Sequence, residues 1–347
     1  MRKPFAGIAV LLLGSGLALA GMPVSSWAQD TALYGSRGIS AQSVRQGLLG
    51  SCYFHATIAA LAKTAPGTLR NAIRRNPNGG YKVHFYSGAD EAVYQSDVDY
   101  GREHGYDRSD GTWVAVLMRA YAQRALRLSL VEAVQKSDMI PVFIQPMAIS
   151  WLNGSDMLLV AYDRAVRSVV NQDGSMDQYS LKQRLATELN TEGIPSSEAQ
   201  ALVGFLNEKG FFATLARTVQ ENGEVFGAYK SLGQGGIPVR VMEAFLGQGK
   251  VFAGFTNNSQ QTMQQLQRFR AGGIAMVAGT KATAPSDQFA SASWWVPAHC
   301  YTLLSYDDAA QTVTLRNPWG EHPSPGGVFT LPLTDYLNGY ESYTYSQ

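Results

Sequence analysis

An α+β fold is predicted, with helices gathered in the first two thirds of the chain and strands in the last third. Three observations predict it. At 347 residues, and with ~150 residues per domain, the chain has material for about two domains. Its 45% apolar content supports a packed core rather than wholesale disorder. Helix-like stretches dominate from Cys52 to about residue 225, whereas strand-like runs bounded by turn residues follow Gly272-Gly273. The texture changes after Gly235-Gly236, which puts a seam near residues 230–240.

The first residues read as a removable leader. Arg2 and Lys3 precede an apolar stretch from Phe5 to Ala20 that ends in Ala18-Leu19-Ala20, and a second small-residue site follows at Ser26-Trp27-Ala28. A basic start, a short apolar run and an A-x-A-like exit describe a secretory signal, and the run is short for the ~20 apolar residues of a bilayer span. Cleavage after Ala28 removes two positive charges and takes the net charge from +1 to −1. The expectation is a signal peptide at 1–28 and a secreted or periplasmic protein with no membrane association after cleavage.

In the mature chain, residues 30–50 show little periodicity and are expected to wrap the surface. The run CYFHATIAALA (52–62) is apolar, Ala-rich and free of Gly and Pro, as suits a buried helix. Residues 79–100 alternate around Ser87-Gly88-Ala89-Asp90 and suggest a β-hairpin. Trp113, Val116, Leu117, Ala120 and Tyr121 recur at helical spacing, and 158–170, 181–190 and 196–209 are further helix-like stretches. Beyond the seam, short helices are expected at 238–246 and 258–270, the second stopped by Gly272-Gly273. Strands are expected at 273–279, 299–306, 311–316 and 327–331.

Lys+Arg 28 against Asp+Glu 27 offers no broad attraction to nucleic acid. Two cysteines, Cys52 and Cys300, exclude a disulfide scaffold or a four-cysteine zinc site. Cys52 follows the loop Gln46-Gly47-Leu48-Leu49-Gly50-Ser51 and opens a helix. There the macrodipole and unpaired N–H groups favour the thiolate, the nucleophilic form. The Cys52 N–H and the Gln46 amide are candidate oxyanion donors. Taken alone, however, a cysteine on an Ala-rich helix is more often a packing residue. His299 opens one strand-like run and Asn317-Pro318-Trp319-Gly320 closes the next. Adjacent strands would let Asn317 accept from one ring nitrogen and leave the other to a thiol, with Trp319 shielding the pair. Separately, His299 is equally readable as a core histidine and Asn317-Pro318 as a turn.

Together these segments resemble the papain-like cysteine peptidases, and specifically the calpain family. The family's Q-G-x-L-G-D-C-W stands here as QGLLGSCY, continuing into the apolar helix, and its H-A-Y-S followed by L-R-N-P-W-G stands as HCYTLLSYDDAAQTVTLRNPWG. WVAVLMRAYA (113–122) is similar to the family's helix ending in E-K-A-Y-A, and 227–247 to the stretch joining its two core subdomains. The resemblance implies Cys52 as nucleophile, His299 as general base and acid, Asn317 as its orienting residue, Gln46 as oxyanion donor and Trp319 as aromatic shield. It implies a papain-like two-lobed fold: a helical lobe with the nucleophile (29–122), a helical insert (123–226) and a β-rich lobe with the histidine and asparagine (227–347). The activity implied is cysteine endopeptidase, with a protein or peptide as substrate and no cofactor. The same residues would serve deamidation or acyl transfer on a partner protein, and a non-catalytic binding protein on this scaffold is the other alternative.

Departures from the family pattern carry their own expectations. Ser51 and Tyr53 replace the family's Asp and Trp beside the nucleophile. Ser43 and Met118 stand where calcium-dependent members have carboxylates, so hard oxygen ligands are missing and calcium independence is expected. Cys300 stands where the family has Ala; strand alternation from His299 points it inward as a packed small residue, with a Cys52–Cys300 disulfide as the less favoured alternative. His55 reads as a packing residue, and no metal-ligand spacing joins it to His84, His104 or His322.

Overall fold

The computed structural model describes residues 31–77, 79–86, 90–135, 177–191, 193–208, 228–321, 323 and 325–347, with isolated positions between 161 and 169. The expected leader, the turn at 87–89, most of the helix-like stretch 158–170 and His322 lie outside the described residues.

The lead-in contains α1 (Thr31–Tyr34) and a 3-10 turn at Ala41–Ser43, capped by the Ser40 hydroxyl accepting from the Ser43 N–H. The loop 44–51 then delivers the chain to α2 (Cys52–Thr64). That helix is buried from Tyr53 to Ala62 on every side, which its four alanines allow by admitting neighbours closely. It stops before Ala65, where the following proline disfavours helical backbone, and Pro66 then opens α3 (Pro66–Ala72) from its first turn.

Strands β1 (Ile73–Arg75), β2 (Tyr81–Val83) and β3 (Glu91–Val93) form an antiparallel sheet in that order. The expected hairpin is therefore present, but it gains a third strand and ends early: the polar stretch after Tyr94 turns into α4 (Gln95–Glu103). α5 (Trp113–Gln135) buries its whole first part, Trp113 to Ala122. α6 (Gln178–Thr191) and α7 (Ser196–Glu208) pack on each other. α8 (Ala228–Gly233) packs on α5, and α9 (Pro238–Leu246), started by Pro238 and ended at Gly247, packs on α2.

The last third builds a six-stranded antiparallel sheet. Its elements are β4 (Val251–Phe255), α10 (Ser259–Ala271), β5 (Met276–Thr280), α11 (Asp287–Ser291), β6 (Cys300–Asp307), β7 (Thr312–Arg316), β8 (Val328–Pro332), α12 (Leu333–Gly339) and β9 (Tyr340–Ser346). The strand order is β4-β9-β5-β6-β7-β8. β4 and β9 have no counterpart among the expected strands. β9 reads YESYTYS, a tyrosine ladder rather than an apolar run, and it inserts between β4 and β5.

The sheet separates two cores by its period of two. Val277, Cys300 and Leu304 face the core shared with α2, α5 and α9, while Met276, Ala278, Tyr301 and Leu303 face a second core with Phe269, Phe289 and Tyr336. Mixed helix and sheet, with the sheet confined to the C-terminal third apart from the small β1–β3 sheet, is thus the observed architecture.

Candidate active site

The loop carrying Cys52 is fastened on two sides. On one, the Gly47 N–H donates to Tyr106 O (3.1 Å), the Leu48 N–H to Gly105 O (2.8 Å) and the Arg108 N–H to Arg45 O (3.0 Å). Gly47 is required for this approach, because a Cβ there would sit 1.8 Å from the Gly105 carbonyl oxygen. On the other side, the Gln46 N–H donates to Pro318 O (2.8 Å), and the buried Arg316 guanidinium donates through Nη2 to Val44 O. Burial, then the neighbouring Arg45 and Arg37 charges, lower the Arg316 pKa to about 10. The loop before Cys52 and the Asn-Pro-Trp-Gly turn are therefore bound directly to each other, although some 270 residues separate them in sequence.

His299 and Asn317 flank the β6–β7 pair, His299 just before β6 and Asn317 just after β7. The His299 Nε2 lies 3.0 Å from Asn317 Oδ1. The same Oδ1 accepts from the Trp319 N–H at 3.1 Å. A backbone N–H can only donate, so this atom of the carboxamide must be oxygen, and the imidazole must carry its proton on Nε2 to bond it. Nδ1 is then the nitrogen left for the thiol. The Trp319 ring lies 4.8 Å from the imidazole and the Tyr301 ring 4.9 Å, centroid to centroid. His299 is only 5% exposed and Asn317 is fully buried, so their bond is kept from water.

Cys52 occupies the first position of α2. Phe54 and His55 direct their N–H groups to Ser51 O, and the Cys52 N–H, like any at a helix start, has no intrahelical acceptor. The thiol pKa falls from its ordinary value to about 4. The largest cause is a hydrogen bond from the Cys300 side chain; burial opposes it, and hydrogen bonding and charge from His299 and the Cys300 N–H add to it. The Cys300 thiol is pushed up correspondingly, because it donates to the Cys52 thiolate and is buried beside it.

Cys300 packs inward against the core shared with α2, as expected, and from that face it also reaches Cys52. His299 itself lies just before the strand and does not share its alternation. Ala298 has φ +48°, a left-handed bend, and Thr280 brackets His299 by accepting its N–H at Oγ1 (2.8 Å) and donating its own N–H to His299 O (2.9 Å). The regular pleat begins at Cys300, so Cys300 and His299 both reach Cys52.

Gln46 is buried, and its Nε2 donates to Leu49 O at 2.6 Å, across its own loop. A primary amide has two N–H groups, and Leu49 O takes one of them.

Two residues of importance to this loop were not found in the sequence as polar partners. His55, fully buried, places Nδ1 3.0 Å from Ser51 O and 3.1 Å from Ser51 Oγ, and Nε2 3.4 Å from Asp107 Oδ1. Asp107 Oδ1 accepts from Ser109 Oγ at 2.6 Å, and the Ser109 hydroxyl in turn receives the Arg45 N–H at 2.8 Å. The i, i+4 spacing of Ser51 and His55 is the one signal available in sequence; nothing there points to Asp107. His84 bonds Asp90 and His104 bonds Tyr100 O, each locally. Among the described residues no group of three His, Cys, Asp or Glu could hold a metal ion, and no helix is long and apolar enough to cross a membrane.

The assembled site can generate a thiolate at neutral pH, receive and return a proton at one ring nitrogen, and present N–H donors beside the sulfur. No protein-family model matches the chain, and no curated protein matches it. Among solved structures the chain is similar to the crystal structure of PepW from Lactobacillus rhamnosis HN001, with 12% identity, a TM-score of 0.27, and coverage of 89% of this chain and 81% of that one.

Proposed function

We propose that this chain is an exported cysteine endopeptidase of papain-like, two-lobed design that hydrolyses peptide bonds through Cys52, His299 and Asn317 without calcium. The observation that carries this reading is the fixed tautomer of His299. With Nε2–H held by Asn317 and the oxygen of Asn317 identified by the Trp319 N–H, Nδ1 has one task left, proton exchange with the Cys52 sulfur and the substrate.

In the acylation step the Cys52 thiolate attacks the scissile carbonyl carbon. The Cys52 N–H and the second Gln46 N–H stabilise the oxyanion that forms. His299, protonated at Nδ1, donates to the departing amine, and the C–N bond breaks to leave a thioester. Water then loses a proton to His299 as it attacks the thioester, and sulfur leaves as the thiolate. Asn317 keeps the ring in plane through both proton transfers, and Trp319 keeps water from competing for its oxygen.

The test is digestion of an unfolded protein, such as casein, by purified wild type and Cys52→Ala, with circular dichroism to establish folding. New peptide fragments from wild type alone are the expected result. Equal fragment yield from the folded variant would refute the assignment. An unchanged fragment number with conversion of a substrate glutamine to glutamate would instead assign deamidation to the same residues.

A further inference from the structure

We propose that Cys52 and Cys300 form a reversible redox pair, in which a hydroperoxide oxidises Cys52 and Cys300 captures it as a disulfide, silencing the nucleophile and sparing it from irreversible oxidation. The inference deepens the functional reading above and rests on it only for the Cys52 thiolate.

The packing of α2 on β6 sets the geometry. The Thr302 Oγ1 on β6 donates to Ala56 O on α2 at 2.8 Å. From Ala56 to Cys52 is four helical residues, about 6 Å. From Thr302 to Cys300 is two strand residues on the same face, about 6.6 Å. The two steps match, so Cys300 meets Cys52 one repeat along from the Thr302–Ala56 contact. The Cys300 side chain packs on the same core face as α2, near enough to the Cys52 sulfur for its thiol and N–H to lower the Cys52 pKa. Both thiols are free and half-buried, so a small oxidant reaches them while the surrounding core holds them together.

The chemistry balances. The Cys52 thiolate attacks the distal oxygen of ROOH; an S–O bond forms, the O–O bond breaks, and the alkoxide takes a proton from His299 to leave as ROH. Sulfur is oxidised to the sulfenic acid and the peroxide is reduced. Oxidation also removes the negative charge that kept Cys300 protonated. Cys300 sulfur then attacks Cys52 sulfur, an S–S bond forms, the S–O bond breaks, and hydroxide leaves as water with the Cys300 proton. A dithiol reductant reverses the process by exchange.

Intact-mass and alkylation measurements on the peroxide-treated protein test this. Wild type should become lighter by two hydrogens, resist alkylation at both cysteines, yield a Cys52–Cys300 cross-linked peptide, and recover fully with dithiothreitol. Cys300→Ser should instead gain two or three oxygens at Cys52 that the reductant does not remove. Oxygen accumulating on Cys52 of wild type while Cys300 stays alkylatable would overturn the proposal, and this arm stands even where the variant fails to fold. Because the readouts are mass and alkylation, they are independent of hydrolysis. A protein that forms the disulfide but digests nothing defeats only the functional reading, and one that digests but never cross-links defeats only this one.

Discussion

Two buried histidines lie close to Cys52, and the contrast between them shows what makes one fit for chemistry. His55 sits three residues along the same helix, and its nitrogens face elsewhere: Nδ1 bonds Ser51, and Nε2 lies 3.4 Å from Asp107 Oδ1 without a hydrogen bond. His299 arrives from a different element, gives one nitrogen to Asn317, and keeps the other for the sulfur. By partner chemistry alone, His55 with its carboxylate has the stronger claim to be a base. By geometry, however, its nitrogens face Ser51 and Asp107 rather than the sulfur, and it ties the loop before Cys52 to Asp107, Ser109 and the segment that clamps Arg45. Availability of a nitrogen, not the acidity of its neighbour, separates the two.

Substitution at the His299 pair is the most forceful way to break the comparison. His299→Ala removes proton transfer in both steps and should lower kcat/KM by about 10²–10⁴-fold. Asn317→Ala should fall short of that. It leaves the buried Nε2–H without its acceptor, a cost of about 1–3 kcal/mol, which corresponds to a loss of about 10–10²-fold. Initial rates on an unfolded protein substrate measure both, and an Asn317→Ala loss as large as that of His299→Ala would mean that the carboxamide does more than orient.

Cys300→Ala sharpens the role of the second thiol. The Cys52 pKa lies below its unfolded value, so the thiolate's interactions contribute stability fully above ~8.5, the free-thiol pKa, and that contribution is lost as pH falls through about 4. The reactivity of the thiolate follows the same limb. Wild-type Cys52 should alkylate with iodoacetamide down to about pH 4. Losing a hydrogen bond to a charged sulfur, about 1.5–3 kcal/mol, should move that limb up by about 1–2 pH units. An unmoved limb would assign the depression to His299 and the Cys300 N–H.

These contrasts also mark what sequence can carry. Taken singly, Cys52, His299 and Asn317 read equally well as packing or a turn, and it was their order in two motifs resembling a known family that led to expecting them, with Trp319, beside one another. The pairing of the Asn-Pro-Trp-Gly turn with the loop before Cys52 was not legible, since it depends on the buried Arg316 reaching Val44 and Gln46 reaching Pro318 across the core. Cys300 was legible as an inward-packing residue, but its approach to Cys52 was only the less favoured alternative, because the bend at Ala298 takes His299 out of the strand's alternation. β9 escaped because its inward residues are tyrosines among polar neighbours, and β4 because Gly254 interrupts it; a Cβ on Gly254 would lie 2.4 Å from the Tyr343 ring of that same β9. Edge pairing between distant segments has no local signal.

The smallest effect on turnover is expected at His55, and it completes the comparison. His55→Ala deletes hydrogen bonds to Ser51 and leaves Asp107 Oδ1 with Ser109 alone in a site of zero exposure. Removing one polar neighbour of a buried carboxylate that keeps Ser109 and Arg102 costs about 1 kcal/mol or more, and the vacated ring volume adds to it. Thermal unfolding should therefore shift clearly downward, while kcat per active site, counted by titration with a thiol-reactive probe, should stay within a few-fold of wild type. Asp107→Asn, which keeps the shape and removes the charge, should destabilise less than His55→Ala. A His55→Ala protein that holds its melting temperature but loses the acid limb of Cys52 reactivity would reverse the assignment and make this second histidine part of the chemistry.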